Sequence, residues 1–232
     1  LIYLLHICFY CMKNSLYKKY TLILKLTLKN YSLLRIFQIL EILQLDLKGT
    51  VLDLGASASI TNVSNYLNNT ENRVYANFTG NESIQINLEN YPNKINQYFD
   101  NILLMNVLEH IKNHQNCLLN IKALLKNKGI LYGSTPFMYS IHQSPNDYLR
   151  YTKQFLEEHI SENGFENVEV KTLGAGIFCC IYSLIFNWTK KIPLLNLIIL
   201  PAFLVLDNFV NLFSKNIKSN NPLGYFFIAK KS

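Results

Sequence analysis

The stretch KGTVLDLGASAS at residues 48–59 constrains the fold of this chain more than any other. Its first half predicts a short buried strand, with Asp53 close to the end of that strand. A run of Gly, Ala and Ser follows, and small residues in such a turn let the backbone come close to a ligand. The amides at the start of the next helix would add hydrogen-bond donors. The stretch therefore predicts the first strand, turn and helix of a nucleotide-binding α/β sheet.

From residue 50 onward, short apolar strands alternate with amphipathic helices. Strands are predicted at 51–54, 73–78, 83–88, 99–105, 130–134 and 168–173, and helices at 60–68, 109–125 and 152–163. Gly129 and Gly164 follow two of these helices, in the position where glycine commonly ends a helix. This alternation predicts a parallel, doubly wound sheet.

The chain before this region, residues 1–47, is apolar and basic. Residues 1–12 form an apolar run shorter than the roughly 20 residues that span a bilayer, and lysines follow this run instead of preceding it as in a signal peptide. Residues 20–45 have helical periodicity and predict one or two helices that cover the sheet. Contact of residues 1–30 with a membrane surface is the alternative interpretation.

A second apolar region interrupts the alternation at residues 175–219. It contains two apolar runs, 177–188 and 194–205, with a lysine pair between them. Both runs are predicted to be too short to span a membrane, since Asn196 and Pro201 interrupt the second. The runs either cover the sheet as a helical insertion or lie in a membrane interface with the lysines at head-group level. The scarcity of polar residues favours the interface.

The α/β domain is therefore predicted to be interrupted by this insertion. Residues 222–231 read as an aromatic strand that pairs with residues 168–173 at one edge of the sheet. The predicted parts are N-terminal helices at 1–47, the α/β domain at 48–174, the insertion at 175–219 and a final edge strand at 220–232.

Charge and composition restrict the partners of the chain. The formal net charge is +7, which suits an anionic partner such as nucleic acid or an anionic lipid surface. The sequence has no Lys/Arg block of the kind found in nucleic-acid-binding proteins, so no nucleic-acid partner is predicted. Abundant Asn, Lys, Ile, Tyr and Phe are also typical of AT-rich genomes, which gives the basic charge an alternative explanation.

The cysteines are Cys8, Cys11, Cys117, Cys179 and Cys180. Cys8 and Cys11 have CxxC spacing, but no second pair of ligands accompanies them, so neither a metal site nor a disulfide framework is predicted. Buried free thiols in a reducing compartment fit the pattern better. The predicted location is the cytoplasm, at the inner face of a membrane if the apolar regions contact one.

Four pieces of the sequence together resemble the class I S-adenosylmethionine-dependent methyltransferases, in particular the small domains called type 11. They are VLDLG at 51–55, FDNILLMNVLEHI at 99–111, LLKNKGIL at 124–131 followed by Thr135 and Pro136, and Gly164 with Phe165 before a strand. The resemblance covers residues 48–174 and the last strand. It implies a mostly parallel, Rossmann-like seven-stranded sheet with an antiparallel edge strand, here with an apolar helical insertion before the last strand.

The resemblance also implies S-adenosylmethionine as the cofactor, bound across the carboxyl ends of the strands. Ser57 and Ser59 occupy positions where the family usually has glycine, and Asn77 and Asn87 occupy positions where it usually has acidic residues near the ribose and the adenine. The implied cofactor-binding residues are Asp53, Gly55, Ser57, Ser59, Asn77, Asn87, Leu88 and Asn106. For Asp53, a structural role as a strand-end carboxylate that accepts turn amides is the alternative.

The loop at residues 135–152 carries the predicted catalytic group, and it resembles a signature of one methyltransferase subgroup commonly found near surface-polysaccharide and glycan genes. His142 is the predicted base, because methyl transfer to oxygen or nitrogen needs a deprotonated acceptor and histidine titrates near neutral pH. Asp147 would orient His142, and Arg150 would clamp an anion. Alternatively, Asp147 and Arg150 pair only to lock the loop, and Thr152 caps the next helix.

The segment FDNILLMNVLEHI at residues 99–111 is the most specific piece of the resemblance, yet the polar side chains of its VLEH part also have structural explanations. A carboxylate at the start of a helix suits the helix dipole, so capping explains Glu109 as well as function does. His110 is interpreted as a packing residue.

Two hypotheses for function follow. The first is an S-adenosylmethionine-dependent methyltransferase that acts on a small-molecule, sugar or lipid-linked acceptor, with peripheral membrane contact. The alternative is a catalytically degenerate, membrane-associated binding or scaffold protein with a methyltransferase-like fold. A dinucleotide-dependent enzyme is disfavoured because the pattern G-x-G-x-x-G is absent after Gly55.

Overall fold

The structure is a computed structural model and describes residues 18–55, 62–68, 72–77, 84–92, 95–214 and 216–232. The helices are α1 (18–28), α2 (Leu33–Ile42), α3 (His114–Leu124), α4 (Lys153–Glu162), α5 (Ile177–Thr189), α6 (Pro193–Phe213) and α7 (Ile217–Asn220). The strands are β1 (Val51–Leu54), β2 (Arg73–Asn77), β3 (Ile84–Gln85), β4 (Phe99–Met105), β5 (Leu125–Pro136), β6 (Phe165–Leu173) and β7 (Gly224–Lys231). Ser57, Ser59 and the apolar run at 1–12 lie outside the described residues.

The strands form one seven-stranded sheet in the order β3-β2-β1-β4-β5-β7-β6. The pairs from β3 to β5 are parallel. Antiparallel pairing is confined to the other edge, where β7 lies between β5 and the outermost strand β6. The predicted fold class, a mostly parallel seven-stranded α/β sheet with an apolar helical insertion before its last strand, is confirmed.

The order of the strands sets the place of the ligand cleft. The chain runs outward from β1 through β2 to β3 and then returns to β4 on the other side of β1. A crevice opens at such a switch point, outside the carboxyl ends of the strands. The residues that follow β1, β2 and β4 therefore meet at one end of the sheet.

Helices cover both faces of the sheet, because successive strand residues point to opposite sides. In β4, Leu103 packs into a cluster with side chains of α2 and α5, whereas Leu104 packs into a cluster with side chains of α3 and α4. Both leucines are fully buried. Burial of one such side chain stabilises the fold by about 1.5–3 kcal/mol.

Two predicted helices differ from the structure. The helix predicted at 109–125 begins only at His114, because the side chain of Asn113 accepts a hydrogen bond from the amide of Asn116 and caps α3 there. A separate short 3-10 turn, Leu108–His110, precedes it. The helix predicted at 60–68 is, within its described part, a 3-10 turn at Val63–Tyr66.

The apolar insertion differs from its prediction in one respect. The second run continues through Pro201 as a single helix, α6, of 21 residues, so the prediction that it is interrupted was wrong. Packing of α6 along α5, with the Phe178 and Phe203 ring centroids 5.8 Å apart, outweighs the one hydrogen bond that proline removes. Asn196 does not break the helix either, since its side chain turns inward and donates to the Thr189 carbonyl at 3.1 Å.

Candidate active site

A cavity of about 760 Å³ opens at the carboxyl ends of the central strands. One part, which we call the turn side, is lined by Gly55, Asn77, Asn87, Leu88 and Asn106. The opposite part, which we call the loop side, is lined by residues of the 3-10 turn after β4 and of the loop after β5, namely His110, Tyr139, His142 and Tyr148. The structure thus brings five predicted cofactor-binding residues and the predicted base into one cavity.

Gly55 follows β1 and requires glycine for two reasons. Its φ of +76° lies in the left-handed region that side chains other than glycine rarely adopt. A Cβ atom there would lie 2.4 Å from Cγ2 of Val107, the residue that leads into the next 3-10 turn. Only glycine therefore lets the backbone at residue 55 pass this close to Val107, and a close backbone approach of this kind is typical of a ligand-binding turn.

Asp53 does not line the cavity; it is 2% exposed within β1. Its Oδ2 atom has no hydrogen-bond partner among the described residues. Burial raises the pKa of Asp53 to about 6, and the charge of the nearby Arg73 offsets this only in part. The turn residues 56–60, whose amides the structural alternative invokes, lie outside the described residues.

The polar groups of the turn side are mainly neutral amides. Asn106 has a positive φ of +55°, and two hydrogen bonds with the buried Gln38, of 2.6 and 3.1 Å, hold its side chain. Asn87 accepts a hydrogen bond from the amide of Glu89 at 3.0 Å. Glu89 also lines the cavity, but its Oε1 accepts the amides of Lys112 and Asn113. The turn side therefore recognises ligands by amide hydrogen bonds.

Glu109 is the most unusual group on the loop side. It is fully buried, and neither carboxylate oxygen has a hydrogen-bond partner among the described residues. Burial raises its pKa to about 8. Its Oε1 lies 3.8 Å from Nε2 of His110 and 3.8 Å from Nε2 of His142. Since Asn113 caps α3, Glu109 does not serve as the cap of that helix.

His142 reaches the cavity from the loop after β5, and Asp147 holds it from behind. The His142 amide donates to Oδ2 of Asp147 at 2.9 Å, and Nδ1 of its ring faces the same oxygen at 3.5 Å. Burial and the neighbouring His110 lower the pKa of His142. The imidazole is therefore mostly neutral at neutral pH, with Nδ1 toward the carboxylate and Nε2 toward Glu109.

Arg150 pairs with Asp147 through two guanidinium hydrogen bonds and does not line the cavity. This pair holds the pKa of Asp147 down, at about 2. The side chain of Thr152 caps α4 by accepting from the amide of Phe155 at 3.2 Å. These contacts match the alternative in which Asp147, Arg150 and Thr152 lock the loop. The same carboxylate of Asp147 also contacts His142, so the loop contacts and the predicted orienting role occur together.

Sequence reasoning missed the role of Glu109 and His110 as a pair that faces His142. The segment VLEH marked their position, but the loop that completes the cluster is about thirty residues away, and only the fold brings it there. Arg35, which lines the cavity from α2, was also missed. The helical pattern of α2 alone gives no signal for Arg35, since an exposed arginine is ordinary on a covering helix.

Comparison with known proteins identifies the family. The profile of a methyltransferase domain family matches residues 32–170, which is more than half of the chain. No curated protein sequence matches. Among solved structures, the 4+2 cyclase SpnF has a TM-score of 0.53 and 15% identity, over 83% of this chain and 78% of that chain.

Two further structures resemble the chain less closely. Phosphoethanolamine N-methyltransferase 2 of Haemonchus contortus, in complex with S-adenosyl-L-methionine, has a TM-score of 0.49 and 14% identity over 84% of this chain, which spans only 52% of that protein. A Burkholderia thailandensis 1,6-didemethyltoxoflavin-N1-methyltransferase has a TM-score of 0.49 and 14% identity, over 86% of this chain and 78% of that chain.

The turn side fits S-adenosylmethionine by its own geometry. The close backbone approach at Gly55 provides the turn that a nucleotide-type ligand needs, and Asn77, at the end of β2, offers an amide for hydroxyl groups. The cavity is also large enough for a small ligand beside the cofactor. The chain belongs to the methyltransferase domain family, and its cofactor is S-adenosylmethionine.

Proposed function

We propose that this protein transfers the methyl group of S-adenosylmethionine to an oxygen or nitrogen of a small-molecule, sugar or lipid-linked acceptor that binds on the loop side. The observation that carries the proposal is the position of His142. Its neutral imidazole stands in the wall of the same cavity as the glycine turn, backed by the carboxylate of Asp147.

The chemistry assigns a role to each residue. Bound S-adenosylmethionine supplies an electrophilic methyl group. On the loop side, Nε2 of His142 accepts the proton of the acceptor group as that group attacks the methyl carbon. The Asp147 carboxylate, 3.5 Å from Nδ1, favours a proton on that nitrogen and accepts the backbone amide of His142, while Arg150 holds Asp147 in place. Tyr139 packs against His142 with ring centroids 5.4 Å apart.

The membrane part of the proposal is supported by the outward face of α5 and α6. Its large apolar side chains are exposed: Trp188 by 81%, Leu194 and Ile198 by 72%, Leu212 by 79% and Phe213 by 77%. Contiguous apolar surface of this kind marks a contact with a protein or a membrane.

The inward face of α6 carries polar residues instead. The carboxylate of Asp207, fully buried, accepts the amides of Phe178 and Cys179 at the start of α5. The inward face thus combines buried leucines with two polar side chains, whereas the outward face is mainly apolar, unlike that of a soluble surface helix. This distribution favours a lipid phase as the outer neighbour.

Within the described ranges, α6 is the one helix long and apolar enough to cross a membrane. We propose that it lies on the membrane instead, because α5 has only 13 residues and packs on the domain beside α2. Lys190 and Lys191 in the turn between α5 and α6 would meet anionic head groups. In this arrangement the protein works at the cytoplasmic face of a membrane and takes a lipid-linked acceptor from it.

One observation favours the alternative of a degenerate binding protein. Asn77 lines the cavity at the end of β2 and replaces a carboxylate that would accept both ribose hydroxyls with a charge-assisted bond. Restoring the family's residues with Ser57→Gly, Ser59→Gly and Asn77→Asp separates the two. An enzyme with a weak cofactor site gains affinity and turnover together, whereas a binding protein gains affinity without turnover.

The test of the proposed activity uses radiolabelled S-adenosylmethionine with two separate acceptor pools, a lipid extract and an aqueous sugar extract. Label in the lipid pool supports a lipid-linked acceptor, and label in the aqueous pool supports a free sugar or small molecule. Calorimetry with S-adenosylhomocysteine measures cofactor binding in parallel. Binding without transfer to either pool would contradict the enzymatic proposal, and no heat at millimolar ligand would contradict cofactor use.

Vesicle flotation with anionic phospholipid tests the membrane part. The full chain is expected to float, and the double variant Leu194→Glu, Ile198→Glu is expected to remain in the soluble fraction. Tyr98→Glu is the matched control, because Tyr98 is 61% exposed but lies outside α5 and α6. Equal flotation of all three proteins, or of none, would overturn the membrane contact.

A further inference from the structure

Three groups on the loop side converge on one point without touching one another. The possible ligand atoms of Glu109, His110 and His142 all lie within 4.8 Å of one another. The two carboxylate-to-imidazole distances are both 3.8 Å, which is too long for a hydrogen bond. The carboxylate is fully buried and has no hydrogen-bond partner among the described residues. A carboxylate buried in this way is ionised only where a cation compensates its charge.

The contacts behind the two histidines place an acceptor oxygen near Nδ1 of each ring. Nδ1 of His110 lies 2.5 Å from the carbonyl oxygen of Asn146, which can only accept, so Nδ1 carries the proton. Nδ1 of His142 faces the carboxylate of Asp147 at 3.5 Å. Each Nε2 therefore presents a lone pair toward Glu109. Metal-binding histidines are held by this same arrangement, with the far ring nitrogen bonded to a carbonyl or a carboxylate.

We propose that Glu109, His110 and His142 bind one divalent transition-metal ion. An ion about 2.0–2.2 Å from nitrogen and oxygen ligands fits between atoms 3.8 Å apart with little movement. Two imidazoles beside one carboxylate favour zinc, iron or manganese over magnesium or calcium, which prefer all-oxygen sites. The sequence predicts no metal site, because that prediction considered only the cysteines, whereas this cluster forms only in the fold.

The site is open on one side. His110 and His142 both line the cavity, while Glu109 lies behind them. Three protein ligands leave a coordination position that faces the space where an acceptor would bind. Open sites with three ligands are the arrangement of catalytic rather than structural metals.

The role of the ion rests on the proposed methyl transfer. An acceptor hydroxyl bound to the open position is acidified by the ion, and its O–H bond breaks with the proton released to solvent through the cavity. The oxygen then forms a bond to the methyl carbon of the sulfonium. The carbon–sulfur bond breaks, and its electron pair remains on sulfur, which becomes a neutral thioether. In the metal-bound protein, His142 is a ligand and the ion takes over the deprotonation assigned to it above.

The closing experiment uses Co²⁺ alone as a spectroscopic probe on the full chain freed of metal by chelation. We expect visible d–d absorption that saturates at one ion per chain and is displaced by Zn²⁺. Glu109→Gln and His142→Gln are expected to weaken Co²⁺ binding at least tenfold, and Asp147→Asn by about tenfold through loss of the bond that orients His142. Circular dichroism and S-adenosylhomocysteine affinity check that each variant is folded.

His114→Gln is the matched control. His114 and His159 form a second histidine pair, with ring nitrogens 2.8 Å apart, away from the cavity. This variant is expected to bind Co²⁺ as the parent does. The proposal is overturned if Co²⁺ does not bind, if binding is unchanged in folded Glu109→Gln and His142→Gln, or if it is lost only in His114→Gln.

The failure of the site and the failure of the proposed function are distinguishable. Saturable Co²⁺ binding that depends on Glu109 supports the site even where no methyl transfer is detected. Methyl transfer at full rate after chelation would contradict the role of the ion while leaving the methyltransferase assignment intact. Loss of transfer on chelation and its recovery with Zn²⁺ or Mn²⁺ would support both.

Discussion

The two sides of the cavity use different chemistry to bind their ligands. The turn side relies on a backbone turn at Gly55 and on the amides of Asn77, Asn87 and Asn106, of which the last two are fixed by neighbouring hydrogen bonds. The loop side crowds ionisable groups, which neighbour one another in the order His110, Glu109, His142, Asp147 and Arg150. The turn side is therefore suited to hold a ligand, and the loop side is suited to move a proton or hold an ion.

This difference locates the chemistry. Neutral amides gain about 0.5–1.5 kcal/mol for each hydrogen bond and change little with pH or metal. Buried carboxylates and imidazoles cost free energy in the folded state unless a ligand compensates them. Glu109 is buried with no partner among the described residues, and burial raises its pKa to about 8, so it stays mostly protonated near neutral pH unless a cation lies beside it. Substitutions on the loop side should therefore alter turnover, and substitutions on the turn side should alter cofactor affinity.

The largest effect is expected for His142→Gln, which removes the group that acts on the acceptor. Turnover should fall by about 100-fold to 10,000-fold, the range for loss of a proton-transfer group. The affinity for S-adenosylhomocysteine should stay within about twofold, because His142 lies on the loop side. Methyl-transfer kinetics and calorimetry on the same preparation measure both. A loss of cofactor affinity as large as the loss of turnover would contradict the assignment of cofactor binding to the turn side and of chemistry to the loop side.

Gly55→Ala should have the next largest effect, this time on cofactor binding. A side chain at φ +76° is strained by about 1–3 kcal/mol, and its Cβ would meet Val107 at 2.4 Å. We expect cofactor affinity to fall by about 10-fold to 100-fold, since the turn must move. Adding Val107→Ala should recover part of the loss.

Gly174→Ala is the control for backbone strain alone. Gly174 also has a positive φ, +118°, but it packs against Leu223 and does not line the cavity. This variant should lose stability in urea unfolding without losing cofactor affinity once folded. A similar loss of affinity in both variants would mean that Gly55 acts through stability and not through the ligand site.

The sequence predicts the turn side better than the loop side for a physical reason. Strand β4 at 99–105 has the predicted bounds, because a continuous apolar run of this length is typical of a strand that is buried on both faces of a parallel sheet. Gly55 and Asn106 directly follow strands and Asn77 is the last residue of one, so the fold class fixes where they meet. On the turn side, the local sequence pattern is therefore enough to predict where each residue lies in the fold.

The loop side depends on contacts that no local pattern encodes. Glu109 shares a segment with His110, but its partner His142 comes from the loop after β5. The continuity of α6 through Pro201 was mispredicted for the same reason, since packing against α5 decides it. From the sequence alone, residues such as Glu109 and His110, whose role depends on a distant segment, are interpreted as helix caps or packing residues.

Asn77→Asp should sharpen the contrast by giving the turn side a charge. A carboxylate at the end of β2 would accept hydroxyl groups through charge-assisted bonds, which are about twice as strong as neutral ones. We expect cofactor affinity to rise about tenfold. Asn68→Asp is the control, because Asn68 is exposed and outside the cavity lining, so it adds the same charge at another place. Equal gains in both variants would indicate a general charge effect.

The smallest effect on activity is expected for Asp53→Asn, whose effect appears in stability instead. Burial raises the pKa of Asp53 from 3.8 to about 6 in the folded protein, so the folded state keeps a proton that the unfolded state has lost. The contribution of Asp53 to stability is therefore present below about pH 4 and is lost as pH rises to about 6. Asparagine does not titrate, so the variant should gain about 1–3 kcal/mol over the parent between pH 4 and pH 7.

Urea unfolding of both proteins at several pH values isolates Asp53, because other titrating groups cancel in the difference between them. That difference should grow from pH 4 to about pH 6 and then stay constant. A difference that does not change with pH would mean that the turn residues 56–60 satisfy the carboxylate, as the structural interpretation of Asp53 requires. In that case Glu109, on the loop side, would be the one carboxylate among the described residues that is buried with an unpartnered oxygen, and the contrast between the two sides would be sharper still.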